Sequence, residues 1–201
     1  MNRLDSFMNG FPKELAADVE CVREWIEMHA HTKHDVFKEY SEWKLSNGEM
    51  VKIPYRMYET EIPFHTSWNE IQVMIYHCIY TRNDNGYIRE KHVKALIESN
   101  PPEWVYPYIL KVCNEYVVEI LELVYQYLSV KDCSEWKAFC LLNRKVFVYS
   151  YQRMISYWNE YYRSTCYQFH DYIGRKLFRE CFGYTRALEK NHKKMNGVLK
   201  Y

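Results

Sequence analysis

The stretch WKAFCLLNRKVFVYSYQRMISYWNEYYR, residues 136–163, carries the strongest structural signal in the chain. At about 100° per residue, one half of a helix surface collects its large apolar side chains and the other half collects polar ones. The half predicted to be buried contains Trp136, Phe139, Cys140, Phe147, Tyr151, Met154, Tyr157, Trp158 and Tyr161. So wide a stripe is typical of a central helix with several packed neighbours. The stretch therefore predicts one long helix in a mainly α protein.

Helical spacing recurs along most of the remaining chain. Residues 67–70, SWNE, form a capping-box pattern in which Ser67 caps a helix and Glu70 reaches back. NDNG, residues 83–86, predicts the turn between that helix and the next one. The second helix is expected to bury a face formed by Ile88, His92, Val93 and Leu96.

One β signal interrupts the helices, at about residues 42–57. Asn47-Gly48 is typical of a hairpin turn because both residues tolerate positive φ. A three-residue loop of Asn47, Gly48 and Glu49 would pair Leu45 with Val51 and Trp43 with Ile53, placing the apolar side chains on one face. The fold class predicted is thus mainly α, a compact multi-helix domain with one embedded β-hairpin.

Length and composition indicate a single helical domain over residues 1–201. Hydrophobic residues make up 48% of the chain and charged residues 26%, which is the mixture of a folded globular protein. With no apolar run long enough to cross a bilayer, no membrane association is expected. The seven cysteines form no CxxC pair, and the sequence shows no secretion signal. Both observations favour a reducing, cytoplasmic setting. Motifs for phosphate or dinucleotide binding are missing, so no cofactor is expected.

The net charge of +1 provides no global attraction for nucleic acids, but the charge is unevenly distributed. The basic C-terminal helix or tail, about residues 174–201, has eight basic residues and only two acidic ones. It could bind nucleic acid through Arg175, Lys176, Arg179, Arg186, Lys190, Lys193 and Lys194. A solvated helix end is the alternative interpretation.

Aromatic residues form 17% of the chain, and many cluster between residues 150 and 172. Most of these rings are expected to be core, with polar groups at their border forming the candidate binding site. That site consists of Asn143, Arg153, Tyr157 and Arg163. Guanidinium groups beside rings can hold a phosphate or stack on bases.

A metal site is the hypothesis for a histidine-rich face in the later part of the first predicted helix, which begins near Pro12 and runs to about Tyr40. Glu27, His31, His34 and Asp35 share one helix face, because they are three or four residues apart. Imidazole and carboxylate groups suit zinc or another transition metal. The rival interpretation is a solvated face without metal.

Three arginine–histidine pairs have five or six residues between their members: Arg163 with His170, Arg186 with His192, and Arg23 with His29. This spacing resembles the R-x(4–6)-H motif of the HEPN ribonucleases, which are helical proteins. The resemblance implies that His170 would act on a ribose 2′-hydroxyl while Arg163 steadies the phosphate.

The leading functional expectation is a cytosolic helical module for protein interaction or regulation, without catalytic activity of its own. Its partner is expected to be another protein, docking on the aromatic-rich body or on the hairpin edge. The alternatives are a HEPN-like nuclease acting on RNA and a nucleic-acid-binding module that uses the basic C-terminal region.

Overall fold

Residues 4–29 and 39–189 are described by the computed structural model of the chain. They confirm the predicted fold class, since they are mainly α-helical with one antiparallel β-hairpin. The chain divides into two compact units, Met1–Val112 and Cys113–Tyr201. The single domain expected over residues 1–201 stays a prediction. Among the described residues, no helix is both long and apolar enough to span a membrane.

The N-terminal unit packs short helices with the hairpin. Its elements are α1 (Asp5–Met8), a 3₁₀ turn (Lys13–Leu15), α2 (Ala16–His29), β1 (Tyr40–Lys44), β2 (Met50–Pro54), α3 (Glu70–Tyr80), α4 (Gly86–Glu98), a second 3₁₀ turn (Glu103–Val105) and α5 (Tyr106–Val112). Helix α3 packs against both α2 and α4. His92, Val93 and Leu96 on α4 are buried as predicted.

The hairpin register differs from the predicted one by two residues. The observed partners are Tyr40 with Pro54, Ser41 with Ile53, Glu42 with Lys52, Trp43 with Val51, and Lys44 with Met50. The predicted pairing of Leu45 with Val51 and of Trp43 with Ile53 is therefore wrong. A shift of two residues keeps every side chain on its own face, so these four apolar residues are still buried together.

The turn of the hairpin explains the shift. The Oδ1 atom of Asn47 accepts a hydrogen bond from the backbone N–H of Glu49 at 2.9 Å, and Gly48 has a φ of 90°. Leu45 N–H donates to the carbonyl of Glu49 at 2.8 Å. The loop therefore begins and ends one residue earlier than predicted, and Leu45 and Glu49 are the pair that closes it.

Helix α3 also begins later than the sequence predicts. Its N-cap is Asn69, whose side chain accepts from the N–H of Gln72 at 2.9 Å while the side chain of Gln72 accepts from the N–H of Asn69. Ser67 is unable to cap the helix because its hydroxyl lies 2.7 Å from Nδ1 of His65. The predicted Ser67–Glu70 capping box is replaced by an Asn69–Gln72 box.

The C-terminal unit is also helical. Its elements are α6 (Val118–Leu128), α7 (Ser134–Leu142), α8 (Arg144–Tyr157), a π-helical turn (Trp158–Tyr162), a 3₁₀ turn (Phe169–Asp171), α9 (Ile173–Lys176) and a second π-helical turn (Leu177–Cys181). The single helix predicted over residues 136–163 is interrupted at Asn143, where α7 ends and α8 begins. The side-chain N–H of Asn143 donates to the carbonyl of Phe139 at 3.1 Å, so it competes locally with the helical backbone.

The predicted buried stripe is correct up to Met154 and wrong beyond it. Trp136, Phe139, Cys140, Phe147, Tyr151 and Met154 are buried. Tyr157 and Trp158 are half-buried, and Tyr161 is 56% exposed. The π-helical turn at Trp158–Tyr162 changes the angular spacing, so the last rings leave the buried face.

Candidate ligand-binding pocket

The turn between α3 and α4 is fixed by buried polar contacts around Asn83. The carbonyl of Asn83 accepts from Arg89 at 2.9 Å and from Arg56 at 3.2 Å. Its side-chain N–H donates to the carbonyl of Glu59 at 2.7 Å, and its Oδ1 accepts from the N–H of Asn85. Asn85 in turn caps α4. These contacts hold the two helices as a rigid hairpin.

The segment that leaves β2 is pinned to this helical turn by Arg82, which is fully buried. Its guanidinium donates to the carbonyls of Pro54 and Tyr55. The carbonyl of Arg82 accepts from the N–H of Met57 at 2.7 Å, and Asp84 N–H donates to the carbonyl of Met57 at 2.9 Å. A buried arginine that donates to backbone carbonyls fixes the path of the segment.

Two buried tyrosines of α3 then hold the chain around Glu61. The hydroxyl of Tyr80 donates to the carbonyl of Thr60 at 3.1 Å and accepts from the N–H of Ile62 at 3.2 Å. The hydroxyl of Tyr76 donates to the carbonyl of Ile62. Burial, the main cause, raises the pKa of both phenols, so they remain neutral donors. These hydrogen bonds to the residues on either side of Glu61 hold it next to α3 and α4.

Glu61 is the first member of a hydrogen-bonded chain that we call the relay, formed by Glu61, His92 and His77. The Oε1 atom of Glu61 lies 2.9 Å from Nε2 of His92. Nδ1 of His92 lies 2.7 Å from Nδ1 of His77. The ring of Tyr80 stacks on His92 at a centroid distance of 5.0 Å and an interplanar angle of 19°, which restrains the central imidazole.

Both imidazoles of the relay are neutral at physiological pH. Burial is the largest influence on each, and it lowers the pKa of His77 and of His92 to about 4. Glu61 is ionised: burial by itself would raise its pKa, but hydrogen bonds from Lys91 and His92 and the charge of Lys91 lower it below the ordinary value. The relay thus contains one carboxylate and two uncharged rings.

These protonation states assign every proton in the relay. The carboxylate of Glu61 must accept, so the single N–H of His92 is at Nε2. Nδ1 of His92 is then an acceptor, and His77 must donate from its own Nδ1. This leaves Nε2 of His77 without a proton. Nε2 of His77 has no hydrogen-bond partner among the described residues. It is also not one of the side-chain polar atoms of those residues that are buried from solvent without a partner.

The relay borders a cavity of about 460 Å³ in the N-terminal unit, which we call the relay pocket. Its lining residues are Glu61, Ile62, Pro63, Phe64, Thr66, Tyr76, His77, Lys91 and His92. Aromatic contacts run along the wall, with Phe64 and Tyr76 at a centroid distance of 5.8 Å and Phe64 and His77 at 6.4 Å. The pocket therefore combines apolar surface with a few fixed polar groups.

Lys91 provides the cation at the edge of the relay pocket. Its ammonium group lies 2.7 Å from Oε1 of Glu61, and its side chain is 66% exposed. The charges of Lys91 and Glu61 thus nearly cancel. Because Lys91 is exposed to solvent, the ion pair adds little to the free energy of unfolding. Its role in the pocket is to keep Glu61 ionised, so that Glu61 continues to accept from His92.

The aromatic and arginine site predicted in the C-terminal unit is only partly assembled. Arg153 donates to the hydroxyl of Tyr157 at 3.0 Å and lies over the rings of Tyr149 and Tyr157. Asn143 instead bonds the backbone of its own helix, as described above. Arg163 donates to Asn159 at 3.0 Å and lies over Trp158 and Tyr167. None of these residues lines the relay pocket.

The arginine and histidine of the nuclease hypothesis each have local partners. Nε2 of His170 lies 3.1 Å from Oδ1 of Asp171, with both side chains mostly exposed. The carbonyl of His170 accepts from Arg175 at 3.3 Å. Within the part of the chain that the structure describes, no hydrogen bond joins Arg163 to His170. The role of this pair stays a prediction.

The proposed metal face lies mostly outside the described residues. His31, His34 and Asp35 belong to residues 30–38, and only Glu27 is described. Glu27 accepts from Arg23 at 2.7 Å and from the N–H of Leu4 at 3.2 Å. Over residues 4–29 and 39–189, no three His, Cys, Asp or Glu side chains are grouped as metal ligands.

The basic C-terminal region is described up to residue 189. Arg175, Lys176, Arg179 and Arg186 are partly or fully exposed, whereas Lys190, Lys193 and Lys194 lie outside the described residues. Burial raises the pKa of the Tyr151 phenol, and three of these arginines, Arg175, Arg179 and Arg186, act in the opposite direction. Positive charge is therefore concentrated near that buried ring.

The relay itself was not predicted from sequence, although one signal points to it. His77 stands six residues before Asn83 and His92 stands six residues after Gly86. In two antiparallel helices joined by a tight turn, residues at equal distances from the turn lie at the same level along the helix axes. The predicted NDNG turn therefore brings the two histidines to one level, whereas the position of Glu61 depends on backbone contacts.

Comparisons with known proteins give no further identification. No family model, no curated protein and no solved structure matches the chain.

Proposed function

We propose that the chain is a cytosolic regulatory module, without catalytic activity of its own, that binds a small aromatic ligand in the relay pocket. The observation that carries the proposal is the chain of contacts from Glu61 through His92 to His77 at the wall of the relay pocket, from which an unprotonated Nε2 of His77 follows. A fixed acceptor beside a cavity of about 460 Å³ with apolar walls matches the usual anatomy of small-molecule sites. Seven free cysteines suit a reducing compartment.

Two features favour binding over catalysis. A general base is most effective when its pKa is near the working pH, whereas the pKa of His77 is about 4. Its Nε2 also has no hydroxyl or thiol partner among the described residues that it could activate. The relay instead fixes the direction of one hydrogen bond, which is a means of recognition.

Regulation requires that an occupied pocket changes what the module binds. Phe64 is 45% exposed beside the pocket, and Tyr40 and Met50 on the hairpin are 54% and 51% exposed. Exposed aromatic and methionine side chains are enriched at protein interfaces. The proposed partner is accordingly a protein.

A fragment screen by ligand-observed NMR tests the proposed pocket. Thr66→Trp places a large side chain at an exposed position of the pocket wall, and Thr60→Trp places the same side chain at an exposed position outside the lining. Aromatic fragments are expected to bind the natural chain and the Thr60→Trp variant but not Thr66→Trp. Equal binding to all three chains, or binding to none, would refute the pocket as a ligand site.

A second candidate function rests on the exposed rings of the C-terminal unit. Tyr149 and Tyr161 are 55% and 56% exposed, and Arg153 lies over the ring of Tyr149. Rings alternating with guanidinium groups can stack on the bases of a single strand. This arrangement supports the nucleic-acid-binding alternative.

Binding of labelled oligouridine, followed by fluorescence anisotropy, tests this second candidate. Affinity should fall steeply as salt is raised, and Tyr161→Ala should weaken it by about tenfold. Tyr87→Ala, which removes an 84% exposed tyrosine of the N-terminal unit, is the matched control and should change nothing. Salt-insensitive binding, or equal loss in both variants, would exclude stacking at Tyr161.

A further inference from the structure

We infer that the relay pocket selects uncharged aromatic hydrogen-bond donors, phenols above all, over their ethers and over aromatic carboxylates. The inference rests on the proposed function of the pocket and adds the chemistry of its ligand. It depends on three observations, which are the fixed acceptor of His77, the neutral sum of the charges around it, and the aromatic wall.

The acceptor is fixed because the relay cannot easily reverse its hydrogen bonds. Reversal would place a proton on Nε2 of His77 and take one from Nε2 of His92, leaving two acceptors, that nitrogen and Glu61 Oε1, facing each other across 2.9 Å. Flipping the ring of His92 would put carbon atoms where its two nitrogens lie, and the contacts with Glu61 and His77 would both be lost. Nε2 of His77 therefore presents a lone pair to any ligand and requires a donor.

The charges around the pocket disfavour an anionic ligand. Lys91 is the only cation of the lining residues, and it is paired with Glu61 at 2.7 Å. A bound carboxylate would face both the lone pair of His77 and the nearby charge of Glu61. A phenol avoids both costs because it keeps its proton near neutral pH and donates it to Nε2.

The wall of the pocket selects a flat ring. Phe64 contacts both Tyr76 and His77 through its ring, and its 45% exposure leaves a face free to cover a ligand. Aromatic pairs gain from edge-to-face and offset packing at these distances. A ring bearing one hydroxyl satisfies the wall and the acceptor together.

Isothermal titration calorimetry at about pH 7 with three matched probes tests the inference. The probes are p-cresol, p-methylanisole and p-toluate, which share a methylated ring and differ in the donor, the ether and the carboxylate. We expect p-cresol to bind at least about tenfold more tightly than either of the others, since a polar site rejects analogues that leave it unpaired. Equal affinity for p-cresol and p-methylanisole, or tighter binding of p-toluate, overturns the inference but leaves a functional pocket. Binding of none of the probes counts against the proposed function itself.

Two variants distinguish the contribution of the acceptor, Nε2 of His77, to ligand binding from that of the aromatic wall. His77→Phe keeps an aromatic ring but removes Nε2, so the preference for p-cresol over p-methylanisole should disappear. Phe64→Ala, at an exposed position, should weaken both probes by a similar factor and leave the preference intact. If His77→Phe does not fold, Phe64→Ala still tests the inference, since a change in the preference would contradict it.

The same phenol chemistry could come from a free ligand or from a tyrosine side chain of a partner. A glycine-flanked tyrosine peptide and its phenylalanine counterpart form the arm that distinguishes these sources. Tighter binding of the tyrosine peptide than of p-cresol indicates a partner side chain, and the reverse indicates a free phenol. Tighter binding of the phenylalanine peptide than of the tyrosine peptide contradicts the donor rule.

Discussion

Nδ1 of His77 and Nδ1 of His92 lie 2.7 Å apart, within hydrogen-bonding distance. Because each ring is neutral and the second is held by Glu61, this contact determines the tautomers of both histidines. The same contact couples α3 to α4, so it affects stability as well as recognition.

Replacing the two histidines should reveal this coupling. His92→Phe leaves the donor of His77 unpaired and His77→Phe leaves the acceptor of His92 unpaired, so each is expected to lower the free energy of unfolding by about 1–3 kcal/mol. The double variant removes both groups and should lose less than the sum of the two, as measured in urea. Strict additivity would contradict a hydrogen bond between the rings. His170→Gln, at an exposed position, is the control and should change stability by less than about 0.5 kcal/mol.

The relay also predicts how stability depends on pH. Burial lowers the pKa of both histidines to about 4 in the folded chain, whereas the unfolded value is about 6.5. Between these values the unfolded chain binds more protons, so the free energy of unfolding rises with pH. The stability is complete above about pH 6.5 and declines as the pH falls towards 4, by roughly 3 kcal/mol per histidine at most.

Urea unfolding at a series of pH values checks this dependence. The variant with both histidines replaced by phenylalanine should lose less stability between about pH 6.5 and 4.5 than the natural chain does. Lys91 and Glu61, the charged groups that act on the two histidines, are present in both chains. Parallel curves for the two chains would show that the histidines are not buried in neutral form.

A buried polar pair in the C-terminal unit provides a separate stability test. The side-chain N–H of Asn114 donates to the hydroxyl of Ser150 at 3.0 Å, and both side chains are buried. Ser150→Ala should lower the free energy of unfolding by about 1–3 kcal/mol, since Asn114 then lacks an acceptor. Ser156→Ala, at an exposed position of the same helix, is the control and should be within about 0.5 kcal/mol of the natural chain. Equal effects would mean that the pair contributes nothing.

Two tyrosines of the same unit are expected to respond in opposite ways to removal of their hydroxyl. The hydroxyl of Tyr172 is buried and has no partner among residues 4–29 and 39–189, so Tyr172→Phe should be neutral or should stabilise the chain by up to about 1 kcal/mol. The hydroxyl of Tyr162 donates to the carbonyl of Tyr116 and accepts from Val118 N–H at 3.3 Å. Tyr162→Phe should therefore destabilise by about 1 kcal/mol. Thermal unfolding of both variants measures the difference, and a reversed order would contradict these assignments.

The nuclease hypothesis has a direct test in His170. The family resemblance assigns catalysis to this residue, so His170→Ala should abolish any RNA cleavage by the purified chain. Arg175→Gln is a useful control because the hydrogen bond that Arg175 donates to His170 goes to the backbone carbonyl. RNA cleavage that persists in His170→Ala, or its absence from the natural chain, would remove the hypothesis.

How much of the structure could be predicted depends on which groups make the contacts. The helices and the buried stripe up to Met154 follow from side-chain periodicity, which is visible in the sequence. The π-helical turn after Tyr157 follows from no strong residue pattern. The break at Asn143 and the shift of the hairpin each depend on one side-chain contact to the backbone, from Asn143 to Phe139 and from Asn47 to Glu49.

The relay pocket shows the same limit. His77 and His92 could be placed at one level from the predicted NDNG turn, but Glu61 reaches them only because Arg82 and Tyr80 bind carbonyl groups of the preceding segment. Hydrogen bonds to backbone carbonyls place no requirement on the residue that carries the carbonyl. The position of Glu61 is therefore a property of the fold and not of a motif.

The protonation state of His77 tests the central claim most directly. Long-range ¹H–¹⁵N correlation spectra at about pH 7 report which nitrogen of each imidazole carries a proton, and His77→Phe and His92→Phe provide the assignments. We predict that His77 is protonated at Nδ1 and unprotonated at Nε2, and that His92 is protonated at Nε2. A proton on Nε2 of His77, or a fully protonated imidazolium at either residue, would contradict the relay and the recognition derived from it.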